Sequence, residues 1–112
     1  NTGRQVMDER IRQILQELKA EMQARYGDRF SRMLLYGSCA RGDAEPDSDI
    51  DVLVVLKGEV DTRKEMNAVF DVVYKFCYEY DTVIQYIVVS ERKFQEQMNP
   101  LLMNIQREGQ IV

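Results

Sequence analysis

Apolar residues recur along this chain with two different periods. Val6, Ile11, Ile14, Leu15, Leu18 and Met22 fall at helical spacing, which predicts an amphipathic helix over about residues 5–26. Tyr26-Gly27-Asp28 ends it, and Gly27 suits the left-handed position just past a helix. Arg32 to Tyr36 reads as a short apolar strand. Gly37 to Ser48 is rich in Gly, Ser, Asp and Pro and reads as a loop with room for one helical turn. From Ile50 the period becomes two. Ile50, Val52, Val54 and Leu56 share one face, while Asp49, Asp51, Leu53 and Val55 share the other. Beyond the aspartates both faces are apolar, so Ile50 to Leu56 is expected to be a central strand covered on both sides.

Lys57-Gly58-Glu59 marks a turn. Thr62 lies three residues before Glu65, as in a capping box, and Met66, Val69, Phe70, Val73, Phe76, Cys77 and Tyr80 predict a second amphipathic helix. The cluster Tyr74, Phe76, Cys77, Tyr78 and Tyr80 is read as packing rather than base stacking. Thr82 to Val89 is rich in strand formers and gives a third strand. Ser90 reads as the N-cap of a polar helix over about residues 91–98. Asn99 and Pro100 read as the cap and first position of a last helix striped by Met98, Leu101, Leu102 and Ile105. The order αβ(loop)βαβα predicts an α/β sandwich around a small sheet, a single domain over 1–112 with no repeat or linker.

Composition narrows the chemistry. At 112 residues the chain suits one domain with a modest core, and 45% hydrophobic with 30% charged residues favours folding over disorder. The net charge of −4 argues against a protein that grips nucleic acid by charge alone. No apolar run reaches the roughly 20 residues of a membrane helix, and no signal-peptide pattern opens the chain. Two cysteines, Cys39 and Cys77, fit a reducing cytoplasm better than a disulfide framework. The chain has no histidine, which excludes His-ligated zinc and any His general base.

The candidate chemistry sits in "LLYGSCARGDAEPDSDIDVLVVL", Leu34 to Leu56. Asp49 and Asp51 are two residues apart, point the same way in a strand and repel each other. One reading makes them turn and surface acids, but Asp51 falls inside the apolar run, where an unpaired carboxylate is costly. A calcium loop starting at Asp47 fails at Val52, where Gly is needed, and at Gly58, where Glu is needed. No dinucleotide-binding or Walker pattern is present. The remaining reading joins the two halves of the stretch. Gly37 lets the backbone approach a ligand, Ser38 adds a hydroxyl and an amide, and Asp49 and Asp51 offer hard oxygens for Mg²⁺ beside a phosphate. The halves meet only if the two flanking strands are antiparallel neighbours.

Gly37-Ser38, Arg41-Gly42 and Ser48-Asp49-Ile50-Asp51 resemble the G-S-x-x-R-G…S-D-x-D signature of the DNA polymerase β nucleotidyltransferase superfamily. The short chain is similar to its minimal nucleotidyltransferase (MNT) branch. The resemblance implies a mixed sheet with helices on one face, and transfer of a nucleoside monophosphate from an NTP, AMP from ATP, to a hydroxyl. It implies that Gly37 and Ser38 hold the triphosphate and that Asp49 and Asp51 are catalytic and bind two Mg²⁺ ions. It places Arg41 and Ser48 among the nucleotide-binding residues. Read from the loop alone, Arg41 pairs equally well with Asp43 or Asp47, and Ser48 braces the turn. Active relatives carry a third carboxylate on the third strand. A right-handed crossover brings residues 81–85 to the same end of the sheet, where Gln85 or Asp81 would take that place. The resemblance further implies a HEPN-domain toxin as partner and a tyrosine of that toxin as acceptor. The alternative is a weak or inactive module that neutralises its partner by occlusion. Transfer to RNA or a small molecule is a third reading, disfavoured by the acidic balance.

Overall fold

The computed structural model describes residues 9–45, 47–96 and 99–112. A first helix, α1 (Glu9–Tyr26), leads through a 3₁₀ turn at Gly27–Arg29 into strand β1 (Phe30–Tyr36). A single helical turn, α2 (Ser38–Arg41), opens the loop before β2 (Ile50–Leu56). Helix α3 (Thr62–Tyr80) crosses over to β3 (Ile84–Ser90), and α4 (Glu91–Glu96), α5 (Pro100–Glu108) and β4 (Gln110–Ile111) follow. The order is that expected, with β4 added. The sheet runs β3-β2-β1-β4, with β1 antiparallel to β2 and β4, and β2 parallel to β3.

The two-residue period of β2 becomes two cores. Ile50, Val52, Val54 and Leu56 join Ile14, Leu15, Leu18 and Met22 of α1 and Val69, Val73 and Phe76 of α3 on one face. Leu53 and Val55 join Leu34, Val89, Phe94 of α4, and Leu102 and Ile105 of α5 on the other. Helices therefore cover both faces, not one as the resemblance implied, because α4 and α5 fold back over the second apolar surface. From Val52 to Leu56 every residue of β2 is fully buried. Polar clasps tie α1 to α3: the Tyr26 hydroxyl donates to Glu65 at 2.9 Å, the Tyr80 hydroxyl donates to Glu17 at 2.6 Å, and Arg10 donates to the Tyr80 carbonyl.

Several local expectations shift. Asp61, not Thr62, caps α3, its carboxylate accepting from the Lys64 amide at 3.2 Å. The Thr62 hydroxyl instead donates to the Val88 carbonyl, and Glu65 is held by Tyr26 and Arg29, so no capping box closes. Strand β1 starts at Phe30 rather than Arg32, and β3 at Ile84 rather than Thr82. Thr82 is spent on ending α3, since its amide bonds the Cys77 carbonyl and Asp81 turns left-handed at φ 51°. The Ser90 hydroxyl accepts from Lys93 N, and Asn99 Oδ1 accepts from Leu102 N at 2.9 Å, as their cap roles require. Of the last helix's expected stripe, Leu102 and Ile105 are buried, Leu101 is exposed, and Met98 lies outside the described residues. The start of the first helix, at residues 5–8, lies outside them as well. Phe76 is buried, but Tyr74 and Tyr78 are exposed, so the aromatic cluster is only partly core.

Candidate active site

The antiparallel pairing places Tyr36, the last residue of β1, opposite Asp51, and the parallel pairing places Gln85 opposite Asp51 on its other side. Neighbours in register share a face, so Tyr36, Asp51 and Gln85 project together, with Asp49 two residues before Asp51. The chain leaves β1 at Gly37 with φ 77° and ψ −158°, a conformation that side chains avoid. A Cβ at this position would lie 2.2 Å from Asp51 Oδ2. The bend of the Gly-Ser turn therefore lies directly against the second aspartate, and the two halves of the motif converge.

The loop is braced from within. The Gly37 carbonyl accepts from the amides of Ala40 and Arg41, closing α2, and Gly42 ends it in the left-handed region at φ 81°. Ser48 accepts at Oγ from the Glu45 amide at 2.8 Å, so its side chain secures the turn. Cys39, for which the sequence suggests no role, donates its thiol to the Asp49 carbonyl at 3.5 Å and ties α2 to the entry of β2. The Gln110 amide on β4 reaches the Ala40 carbonyl. Among the described residues, Ser38 makes no side-chain hydrogen bond and its hydroxyl stays available.

Charge in the site is unbalanced toward negative. Burial pushes the Asp51 carboxyl above its ordinary pKa, the adjacent Asp49 charge adds to this, and the Arg41 guanidinium opposes it. Arg41 pairs with Asp43 at 3.3 Å and Glu108 at 3.6 Å, and is about half exposed. Of its two expected loop partners, Asp43 is the one engaged. Gln85 donates its amide to Asp49 Oδ2 at 3.1 Å, which offsets part of the carboxylate repulsion without adding a charge. Asp81 remains at the end of α3 as its cap. Tyr36 titrates above its ordinary value through burial and the Asp51 charge.

Among the described residues no group of three or more His, Cys, Asp or Glu side chains is arranged for a metal. Two same-facing carboxylates suffice for Mg²⁺ when phosphate oxygens and water complete the shell. Burial and then the Asp49 charge raise Asp51, and a divalent cation would offset both, so the donor set fits. Beside the site, a cleft of about 270 Å³ runs between the Tyr36–Gly37 bend, Arg41 and the Leu101 and Asn104 side of α5. A larger cavity, about 540 Å³, lies at the opposite end of β2 and β3 near Gly58 and Ser90, remote from both aspartates. Chemistry, not size, decides between them.

The nucleotidyltransferase-domain family profile matches residues 11–111, nearly the whole described chain. The chain belongs to the nucleotidyltransferase family. It is an enzyme of that type, with the α/β fold and mixed sheet of the family. The chain is 34% identical to the Methanocaldococcus jannaschii protein named "Putative protein adenylyltransferase MJ0604", over 88% of this chain and 93% of that one. It is 35% identical to "Putative protein adenylyltransferase MJ0141" of the same organism, over 70% and 78%. A chain of the solved structure described as a toxin-antitoxin with AMP-PNP superposes with a TM-score of 0.56 at 16% identity, covering 85% of this nucleotidyltransferase and 69% of that chain. That last likeness concerns the fold. Among the described residues, no helix of this nucleotidyltransferase is long and apolar enough to cross a membrane.

Proposed function

We propose that this nucleotidyltransferase is a Mg²⁺-dependent adenylyltransferase that moves AMP from ATP to a tyrosine hydroxyl of a HEPN-type toxin and so acts as an antitoxin. The observation that carries the reading is the contact of the Gly37 bend with Asp51, with Asp49 and Gln85 on the same sheet face. The protein-adenylyltransferase names of the two relatives and the toxin-antitoxin description of the structural neighbour support the donor and the partner class.

In this reading Asp49 and Asp51 hold the metal, which when bound lowers the acceptor hydroxyl's pKa and neutralises charge on the triphosphate. Gly37 admits the triphosphate close to the backbone, and the free Ser38 hydroxyl donates to it. Arg41, already within reach of Asp51's field, can trade Asp43 for a phosphate oxygen. The bond from the α-phosphorus to the bridging oxygen breaks, a bond to the acceptor oxygen forms, and pyrophosphate leaves. Gln85 orients Asp49 but cannot take a proton, so the acceptor's proton passes to a carboxylate or to solvent.

The same Gln85 favours a second reading, a slow or silent module that neutralises its partner by covering it. One experiment separates the two. The chain is mixed with Mg²⁺, α-labelled ATP and the product of the neighbouring gene. Label on a partner tyrosine that vanishes with Asp51→Asn supports transfer. A partner that is inhibited but unlabelled sinks transfer and supports occlusion.

A further inference from the structure

The flank of α3 turned away from α1 carries three exposed aromatic residues at four-residue spacing. Phe70, Tyr74 and Tyr78 are 55%, 61% and 80% exposed, and the rings of Phe70 and Tyr74 stack with centroids 6.0 Å apart. Glu65 marks the opposite flank, because it is bound by Tyr26 and Arg29 beside α1. Nine positions at roughly 100° each leave Tyr74 half a turn from it. Helix α1 packs over β1 and α3 over β3, so the aromatic flank overhangs the outer edge of β3.

That edge is only partly covered: the Val88 carbonyl accepts from the Thr62 hydroxyl and the Ile84 amide donates to Cys77 Sγ, while Tyr86 between them turns its amide and carbonyl to the same edge. Among the described residues β3 pairs only with β2, and its seven residues, IQYIVVS, include no charge, no proline and no glycine. Edge strands of monomeric proteins are usually blunted by such residues or by a bulge. Val83, just before the strand, is itself 53% exposed.

We propose that this edge is a two-fold interface between two copies of the chain. β3 meets its counterpart antiparallel at Tyr86, and the two α3 aromatic stripes pack across the axis. The stripe supplies about 400 Å² per copy, at about 200 Å² for a fully exposed aromatic side chain. A stable interface needs about 800 Å² per partner, so the stripe supplies about half of it, and Val83 with the β3 edge at Tyr86 lies alongside to add to it. The bordering charges are self-complementary. Asp71 and Lys75 sit one turn apart on the outer side of the stripe. Antiparallel helices related by an axis near Val73 set Asp71 of one copy against Lys75 of the other, twice. The catalytic face stays open, because Asp49 and Asp51 project from the other side of the sheet, where α4 and α5 pack. An acceptor working at the carboxylates leaves the stripe uncovered, and a second copy covers it without blocking them.

The test is light scattering and sedimentation equilibrium on the whole chain over about 1–100 µM. The expected result is a dimer. Tyr74→Glu, at a position exposed enough to accept it, yields a monomer with unchanged circular dichroism and unchanged Mg²⁺-ATP binding. Lys75→Asp weakens association about tenfold, and adding Asp71→Lys on the same chain restores it by reversing both pairs. A chain that stays monomeric at about 100 µM overturns the proposal, including one that uses Tyr74 to bind a different protein. So does a dimer indifferent to Tyr74→Glu, or a charge swap that fails to rescue. None of these outcomes bears on nucleotidyl transfer, which is read separately by label.

Discussion

Gly37→Ala tests the contact that joins the two halves of the site. Two penalties act there. Alanine must adopt φ 77° with ψ −158°, a region essentially confined to glycine, at a cost of about 1–3 kcal/mol. Its Cβ also lands 2.2 Å from Asp51 Oδ2 and 3.1 Å from Asp51 Cγ, so the carboxylate must swing out by at least about 0.8 Å to regain 3.0 Å. At roughly 4 °C per kcal/mol for a domain of this size, strain alone lowers Tm by about 4–12 °C. Gly58→Ala is the matched control, since Gly58 has the same φ of 77° at the far end of β2, and a Cβ added there would meet nothing within 4 Å. Thermal unfolding is followed by circular dichroism for both variants, with and without Mg²⁺-ATP. Both should lose stability, but only Gly37→Ala should lose the ligand-induced rise in Tm, and calorimetry should show Mg²⁺-ATP affinity down by tenfold or more, about 1.4 kcal/mol. Equal ligand shifts in the two variants would falsify the claim that the bend and Asp51 form one site.

Three further outcomes follow from the same geometry. The fold raises the Asp51 pKa through burial and then Asp49, so the folded state holds that proton more tightly than the unfolded chain does. Its stabilising contribution is full below the ordinary carboxylate pKa of about 4 and is lost as pH rises through the raised value. Asp51→Asn should therefore raise Tm at pH 7 in chelator, with the gain shrinking toward pH 3, and should abolish stabilisation by Mg²⁺; a lower Tm at pH 7 contradicts this. Gln85→Glu replaces the 3.1 Å donation to Asp49 with a third negative charge, so it should lower Tm without metal and tighten Mg²⁺ at least about tenfold in a thermal-shift titration. An unchanged Mg²⁺ midpoint would show that residue 85 does not face the cation. Asn99→Ala removes the cap on the Leu102 amide and should cost about 1 kcal/mol in urea unfolding; no loss would mean that α5 is held by Leu102 and Ile105 packing alone.

The parts legible in the sequence were those with a strong period or a chemically demanding residue. β2 reads off from Ile50 to Leu56 because both of its faces are apolar beyond Asp51, and the Asn99-Pro100 pair marks its helix start because proline needs no amide partner there. Gln85 could be placed because a right-handed crossover fixes which ends of β2 and β3 coincide. β4 was illegible, since two residues carry no period and Gln110 and Ile111 are both exposed. Asp61 and Thr62 are adjacent and both able to cap, and only the demand of the Val88 carbonyl for the Thr62 hydroxyl decides between them. The aromatic helix misled for a related reason. Phe76 and Tyr74 are alike in type, and periodicity places them on different flanks only once the direction of the core is known. The tie from Cys39 to the Asp49 carbonyl spans a loop and leaves no local signal.

The central position of β2 also governs how the polypeptide emerges from the ribosome. Once β1 and β2 have been made they can close as a hairpin, but the far edge of β2 waits for β3, which begins at Ile84 only after the whole of α3 has been synthesised. During that interval a strand that is aliphatic at every position but Asp51 has one unpaired margin and half its upholstery missing. Slow translation between Leu56 and Ile84 would lengthen the exposure, and swift translation or a chaperone bound to the nascent segment would shorten it.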